Sequence, residues 1–164
     1  GVRELAPIMV AALVSAKAGT EMASQIAVMR IREEIDALQV MAINPHWYLI
    51  APRFLGILMV LPALTIASIF TLIGSAWLVA VLQLGLNSND FLVQASQAMH
   101  GTDLIFCGIK AVFFGTLICL ISCFYGFQAE DGPKGVGNAT NMAVVVSAVS
   151  CVLINYCLSE FLYG

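Results

Sequence analysis

The sequence predicts an all-α, polytopic transmembrane helical bundle, with about four spans and a short cytoplasmic amphipathic helix. Three observations carry that prediction: an excess of apolar residues, four long apolar runs, and charges concentrated between those runs. Of the 164 residues, 60% are hydrophobic and 10% charged, and the mean hydropathy is +0.94. Soluble domains run at about 45–50% apolar and about 25% charged. A water-soluble domain of this size leaves too much of its area exposed to hide that excess, so the surplus faces lipid. The net charge of -3, with no basic, aromatic-interleaved surface, excludes a nucleic-acid binder.

A membrane helix needs about 20 mostly apolar residues. Residues 5–28, 54–84, 104–127 and 141–162 supply four such runs. The chain opens Gly1-Val2-Arg3-Glu4, without a methionine and already in a helical pattern. The expectation is a single transmembrane domain over 1–164 that lacks its natural N-terminal part, so that the span count is a lower bound.

The first run carries Ala11, Ser15, Gly19, Ala23 and Ala27 at every fourth position, with Ala12, Ala16, Thr20 and Ser24 alongside. Small residues at that period let helix backbones approach closely in lipid, which predicts a helix at the centre of the bundle or at a subunit interface. Lys17 and Glu21 stand four apart in mid-span, a spacing at which they can pair on one face.

The connections set the orientation. Residues 29–53 contain Arg30, Arg32 and Arg53, residues 128–140 contain Lys134, and residues 85–103 contain no Lys or Arg. Cytoplasmic loops are enriched in these cations, so the first and third connections are expected inside and the second outside. Within the first connection, residues 30–42 form the most polar stretch. Ile31, Ile35, Leu38 and Ala42 share one face, opposite Arg30, Arg32, Glu33, Glu34 and Asp36. The stretch is too short to span, and Asn44-Pro45 ends it. Its acidic balance disfavours an anionic lipid surface and fits the docking of a soluble partner.

The run over 54–84 is long: 31 residues of helix reach about 46 Å, against a hydrocarbon core of about 30 Å. Pro62 lies inside it, which predicts a tilt or kink. Lys110 falls about two turns into the third run with no partner on its own helix. Intramembrane charges default to functional roles, and Arg3, Glu4 and Lys110 are expected near the same outer half of the membrane. Gly135-Val136-Gly137 reads as a turn before the fourth run. Cys107, Cys119, Cys123, Cys151 and Cys157 lie in apolar runs without metal-ligand spacing and read as packing residues. His46 and His100 read as ordinary loop residues. No hydrolase, metalloprotease or Walker A motif occurs, so no catalytic residue or metal site is assigned. Any ATP must be hydrolysed by another chain.

Several motifs in order resemble the MlaE/YrbE permease family. They are Arg3-Glu4-Leu5-Ala6-Pro7; Glu33 with Ile35-Asp36-Ala37-Leu38-Gln39-Val40-Met41; Asn44-Pro45, Tyr48-Leu49 and Pro52-Arg53; Ile109-Lys110 with Phe114-Gly115; and Gly132 with Gly135-Val136-Gly137-Asn138-Ala139-Thr140 and Ala143-Val144-Val145. The resemblance covers essentially the whole chain. It implies the permease subunit of an ATP-driven ABC transporter that moves phospholipids or related lipids between membranes. It further implies a homodimer, a cytoplasmic ABC ATPase that uses the ATP and Mg, an MCE-domain substrate-binding protein outside, and membrane lipids as cargo. The setting is a bacterial inner membrane, or alternatively a plastid inner envelope.

In that reading the 30–42 helix is the coupling helix, with Arg30, Arg32, Glu33, Glu34, Ile35, Asp36, Leu38 and Met41 seated on the ATPase. Arg3, Glu4, Lys110 and Asn155 line the lipid cavity, with Asn155 standing where the family frequently has an aspartate. The chain departs from the family pattern at Ala6, at Ala16-Lys17 in place of Gly-Arg, and at Ser24-Gln25-Ile26-Ala27, where an acidic residue is lost while Glu21 appears one turn earlier. Two readings from other classes are an ion-coupled secondary transporter, whose paired broken helices are missing here, and a non-transporting membrane scaffold.

Overall fold

Backbone hydrogen bonding in the computed structural model, which describes residues 4–164, organises the chain into six helices, with no strand among the described residues. They are α1 (Leu5–Ile31), α2 (Glu34–Val40), α3 (Pro45–Leu82), α4 (Ser88–Ala98), α5 (Gly101–Phe127) and α6 (Pro133–Tyr163). Four of them, α1, α3, α5 and α6, are long and apolar enough to cross a membrane. Large apolar side chains such as Leu13, Met59, Phe70, Leu153 and Tyr156 point away from the bundle, an apolar exterior suited to lipid. The chain is an integral membrane protein.

The helices outrun the apolar stretches, because hydropathy marks what meets lipid while hydrogen bonding and caps set where a helix ends. Helix α3 starts at Pro45, where the Asn44 side chain accepts from the His46 N–H at 3.1 Å, a capped start with proline in its first turn. It continues through Pro52 and Pro62 to Leu82, and 38 residues give it a length of about 57 Å. Helix α6 already starts at Pro133, so the turn expected at Gly135–Gly137 lies inside the helix instead. The chain reverses one step earlier, at Gly132 with φ 94°, a backbone conformation natural to glycine. Gly135 is then needed for space, since a side chain there would run into the Glu130 backbone.

Helix α1 packs against α3, α5 and α6. Ala11, Ser15, Gly19, Ala23 and Ala27 are all buried, whereas Ala12 and Ala16 of the neighbouring row are exposed. The small stripe is where the other helices approach. A Cβ on Gly19 would lie 3.0 Å from Ser122 Oγ, and one on Gly126 would lie 2.9 Å from Ile26 Cβ and 3.0 Å from the Ala23 carbonyl. Ser15 Oγ and Ser147 Oγ meet at 2.5 Å between α1 and α6. Around these contacts Val10, Val14, Ile26, Ile57, Leu61 and Phe114 form the main core. Cys107, Cys119, Cys123 and Cys151 are buried in the bundle and Cys157 is exposed. Gly126→Leu is expected to destabilise the bundle by about 1–3 kcal/mol or more, the usual overpacking cost, because the obstructing atoms include backbone. Thermal unfolding in detergent, with Gly137→Leu as an unobstructed control, checks it.

Two local departures from regular helix stand out. Residues Ser15–Gly19 of α1 form a π turn, a distortion frequent at functional sites. It takes in Lys17 but ends at Gly19, before Glu21, and among the described residues these two side chains form no ion pair. The second departure corrects the expected helix over 30–42. Arg30 and Ile31 end α1, Glu33 takes a left-handed conformation at φ 59°, and only Glu34–Val40 forms the separate helix α2. The apolar period runs across the junction because Ile31 and Ile35 both turn toward the bundle, so periodicity alone joins two helices. Arg30 holds the corner by donating to the Phe127 carbonyl at the end of α5, a favourable place for a cation.

Candidate functional site

The connection over 85–103, expected as a polar loop, contains the amphipathic helix α4, tied to the end of α3 by Trp77 Nε1 donating to Ser88 Oγ at 3.0 Å. The signal was present in Asn87-Ser88-Asn89-Asp90 ahead of Phe91, Leu92 and Ala95, a capping pattern before helical spacing. Below it, at the same end of the bundle, lies the one strongly charged cluster of the described interior.

Glu4, Lys110 and Asn155 are brought together, although they are far apart in the sequence. Glu4 immediately precedes α1, Lys110 lies on α5 and Asn155 near the end of α6. Lys110 Nζ donates to Glu4 Oε1 at 3.0 Å and to Ser159 Oγ at 2.8 Å. Ser159 Oγ donates to the Glu4 carboxylate, 2.9 and 2.8 Å from its two oxygens, and Asn155 Nδ2 donates to Oε2 at 3.0 Å. The Lys110 ammonium also sits over the Tyr163 ring, 5.1 Å from its centroid, within cation–π range. Lys110 thus has the partner that its own helix could not supply. Arg3, the fourth residue assigned to this region, lies outside the described residues.

The electrostatics follow from burial. The Lys110 side chain is fully buried, while that of Glu4 is 42% exposed. A buried ammonium requires a carboxylate and further acceptors to offset its lost hydration, and Glu4 with Ser159 supplies them. Asn155 explains one departure from the family pattern: an aspartate here would set a second carboxylate 3.0 Å from Glu4, whereas the amide donates to it. The Asn155 Oδ1 atom is buried without a hydrogen-bond partner among the described residues. The cluster therefore offers an incoming polar group one free acceptor and a competing claim on Lys110. Any anion reaching the ammonium must displace or share with Glu4. Ser159, which touches both charged groups, escaped the sequence reading; it lies one helical turn beyond Asn155 on the same face, the only signal that could have found it.

At the opposite end of the bundle, α2 lies across the corner between α1 and α3. Ile35 is buried, Leu38 half-buried, and Arg32, Glu33, Glu34, Asp36 and Met41 are exposed. Val40 and Met41 are 87% and 68% exposed, so α2 turns an apolar tip and an acidic flank outward. Arg30, Asp36, His46 and Asp131 line a polar hollow beside it.

The chain is 34% identical over 161 residues to a protein of Rickettsia prowazekii named a probable ABC transporter permease protein, covering 98% of this chain and 62% of that one. Similarly named proteins of Porphyra purpurea and Synechocystis sp. are 34% and 32% identical, each over 98% of this chain and 61% of the relative. The chain thus spans about three-fifths of the length of the relatives it matches. The sequence profile of the family Permease MlaE matches residues 1–161. With four apolar helices, a small-residue helix at the centre and a match along nearly its whole length, the chain belongs to the MlaE permease family.

Proposed function

We infer that the protein is the membrane permease subunit of an ATP-driven ABC transporter that moves phospholipids or related lipids. The observation that carries this reading is the match of the family profile to residues 1–161, joined to relatives named as probable ABC transporter permeases. The chain works as a mechanical element: a cytoplasmic ATPase hydrolyses ATP with Mg, binds α2, and pushes on the corner that Arg30 ties to α5. The shift passes along α1, whose close contacts with α5 and α6 make it a stiff lever, to the Glu4 cluster at the far end. There Lys110 and Asn155 receive a lipid headgroup in exchange for their contacts with Glu4, as charge-assisted hydrogen bonds to phosphate permit. Two copies of the permease enclose the lipid path, and an MCE-domain protein takes or delivers lipid on the outer side. The setting is a bacterial inner membrane, with a plastid inner envelope as the alternative.

Native mass spectrometry of the full-length protein, purified gently from its own membranes, tests this. The expected particle has two permease chains, two ATPase chains and bound phospholipid. A lone chain without ATPase or lipid moves the assignment to an ion-coupled transporter or a scaffold.

A further inference from the structure

A groove of about 630 Å³ runs between α1 and α3, reaching from Val10 and Leu13 to Lys17, Glu21 and Arg53. The two helices run antiparallel along it, so that Lys17, Glu21 and Arg53 all fall in the half of the groove nearer Met22, with Lys17 closest to its middle. Between Val10 and Met22 it extends for about 18 Å at the helical rise. Elsewhere its polar groups are spent on their own helix: Ser68 Oγ donates to the Thr65 carbonyl at 2.7 Å and Thr71 Oγ1 to the Ala67 carbonyl at 2.9 Å. The rest of the wall is apolar, with Val60 and Leu64 open to an occupant.

The charged half carries two cations and one carboxylate. Arg53 donates to the Leu49 carbonyl at 2.8 Å and to Gln25 Oε1 at 3.2 Å, neutral acceptors that leave its charge unbalanced. Among the described residues, Lys17 and Glu21 form no ion pair. Lys17 stands about 18 Å from the start of α1 and about 21 Å from its end at 1.5 Å per residue, as far from either membrane surface as the helix allows. An exposed ammonium at that depth is costly without a counter-ion. A net positive half of an apolar trough calls for an anionic head carrying an apolar tail.

We propose that this groove is a second lipid site, apart from the Glu4 cluster, holding an acyl chain of an anionic phospholipid with Lys17 and Arg53 on the headgroup phosphate. The proposal rests on the reading of the chain as a lipid permease and specifies part of its route. A headgroup at the level of Lys17 is already drawn below the bilayer surface, so the site holds a lipid in transit. The guanidinium and ammonium give the phosphate charge-assisted hydrogen bonds, and Glu21 limits the excess charge to a single unit.

The test uses the full-length protein with its ATPase in phosphatidylcholine vesicles doped with radiolabelled phosphatidylglycerol. A photo-crosslinking residue replaces Leu64 in the groove or, as a control, the lipid-facing Leu153 of α6. The expected result is labelling of Leu64 by phosphatidylglycerol about tenfold above the control, the ratio that about 1.4 kcal/mol of preference produces. That excess should vanish in Lys17→Gln/Arg53→Gln. It should vanish equally in Gly56→Trp, which fills the groove from a position where a Cβ meets nothing within 4 Å and leaves the charges in place. Equal labelling at both positions, indifference to both variants, or capture of a polypeptide instead of lipid overturns the proposal. ATP-driven lipid transfer is measured on the same vesicles. Transfer without groove labelling rejects the second site and leaves the permease reading standing; selective labelling without transfer rejects the permease reading.

Discussion

Glu4→Leu is expected to destabilise the protein by up to about 3–5 kcal/mol, the cost when a fully buried ion pair loses one member, and to do so more severely than Lys110→Met. The asymmetry comes from burial. Lys110 is fully enclosed and Glu4 is 42% exposed, so loss of the carboxylate strands an ammonium that has nowhere to hydrate. Loss of the ammonium leaves a carboxylate that still accepts from Ser159 and Asn155. The double variant Glu4→Leu/Lys110→Met removes both charges and should recover most of the stability, since a buried pair often adds little over an apolar replacement. Thermal unfolding of the four proteins in detergent gives the cycle. Equal losses in the two single variants, or no recovery in the double, would show that the pair is not the unit described here. The double variant also separates fold from function: it should stay folded yet retain less co-purified phospholipid, as Lys110→Ala should.

The second large effect is expected at α2. Leu38→Asp should abolish lipid-stimulated ATP turnover and lower lipid transfer about tenfold or more, equivalent to about 1.4 kcal/mol lost at a docking contact. The protein should remain inserted with the Glu4 cluster intact. Val40→Asp should act more strongly than Leu38→Asp, because Val40 is the more exposed of the two and a docked ATPase would desolvate it more completely. Ile35→Asp is different in kind: Ile35 is buried against the bundle, so that variant should lose stability before coupling. Full lipid-stimulated turnover in both Leu38→Asp and Val40→Asp would remove α2 as the coupling element.

The fold was legible because lipid imposes a pattern of composition. Each span must bring its own run of apolar residues and satisfy its own backbone, so four runs gave four helices. The stripe from Ala11 to Ala27 was legible for a related reason, since close helix contact in lipid demands small side chains at a fixed period. What periodicity could not supply were the departures from regular helix. The π turn at Ser15–Gly19 and the left-handed Glu33 are local backbone events that leave the apolar period unchanged. Helix α4 was hidden because polar amphipathic segments and polar loops have similar composition, and its capping residues are the only local distinction.

The candidate site was legible in its members and not in its pairing. Lys110 announced itself as an intramembrane cation, but its partner is 106 positions away, beyond the reach of any spacing rule. Ser159 carries no charge to draw notice, although it bridges the two groups that do. For Lys17 and Glu21 the spacing alone did not decide: four residues apart permits a pair on a regular helix, and a π turn begins that interval here.

The most direct test of the central claim is ATP-driven lipid transfer by the full-length protein, reconstituted with its ATPase in vesicles whose lipids carry a fluorescent headgroup. Transfer that requires ATP and Mg, and that is lost in Leu38→Asp without loss of either protein from the vesicles, is the predicted result. Transfer that proceeds without ATP, or follows an imposed ion gradient instead, would contradict the account and assign the chain to another class of transporter.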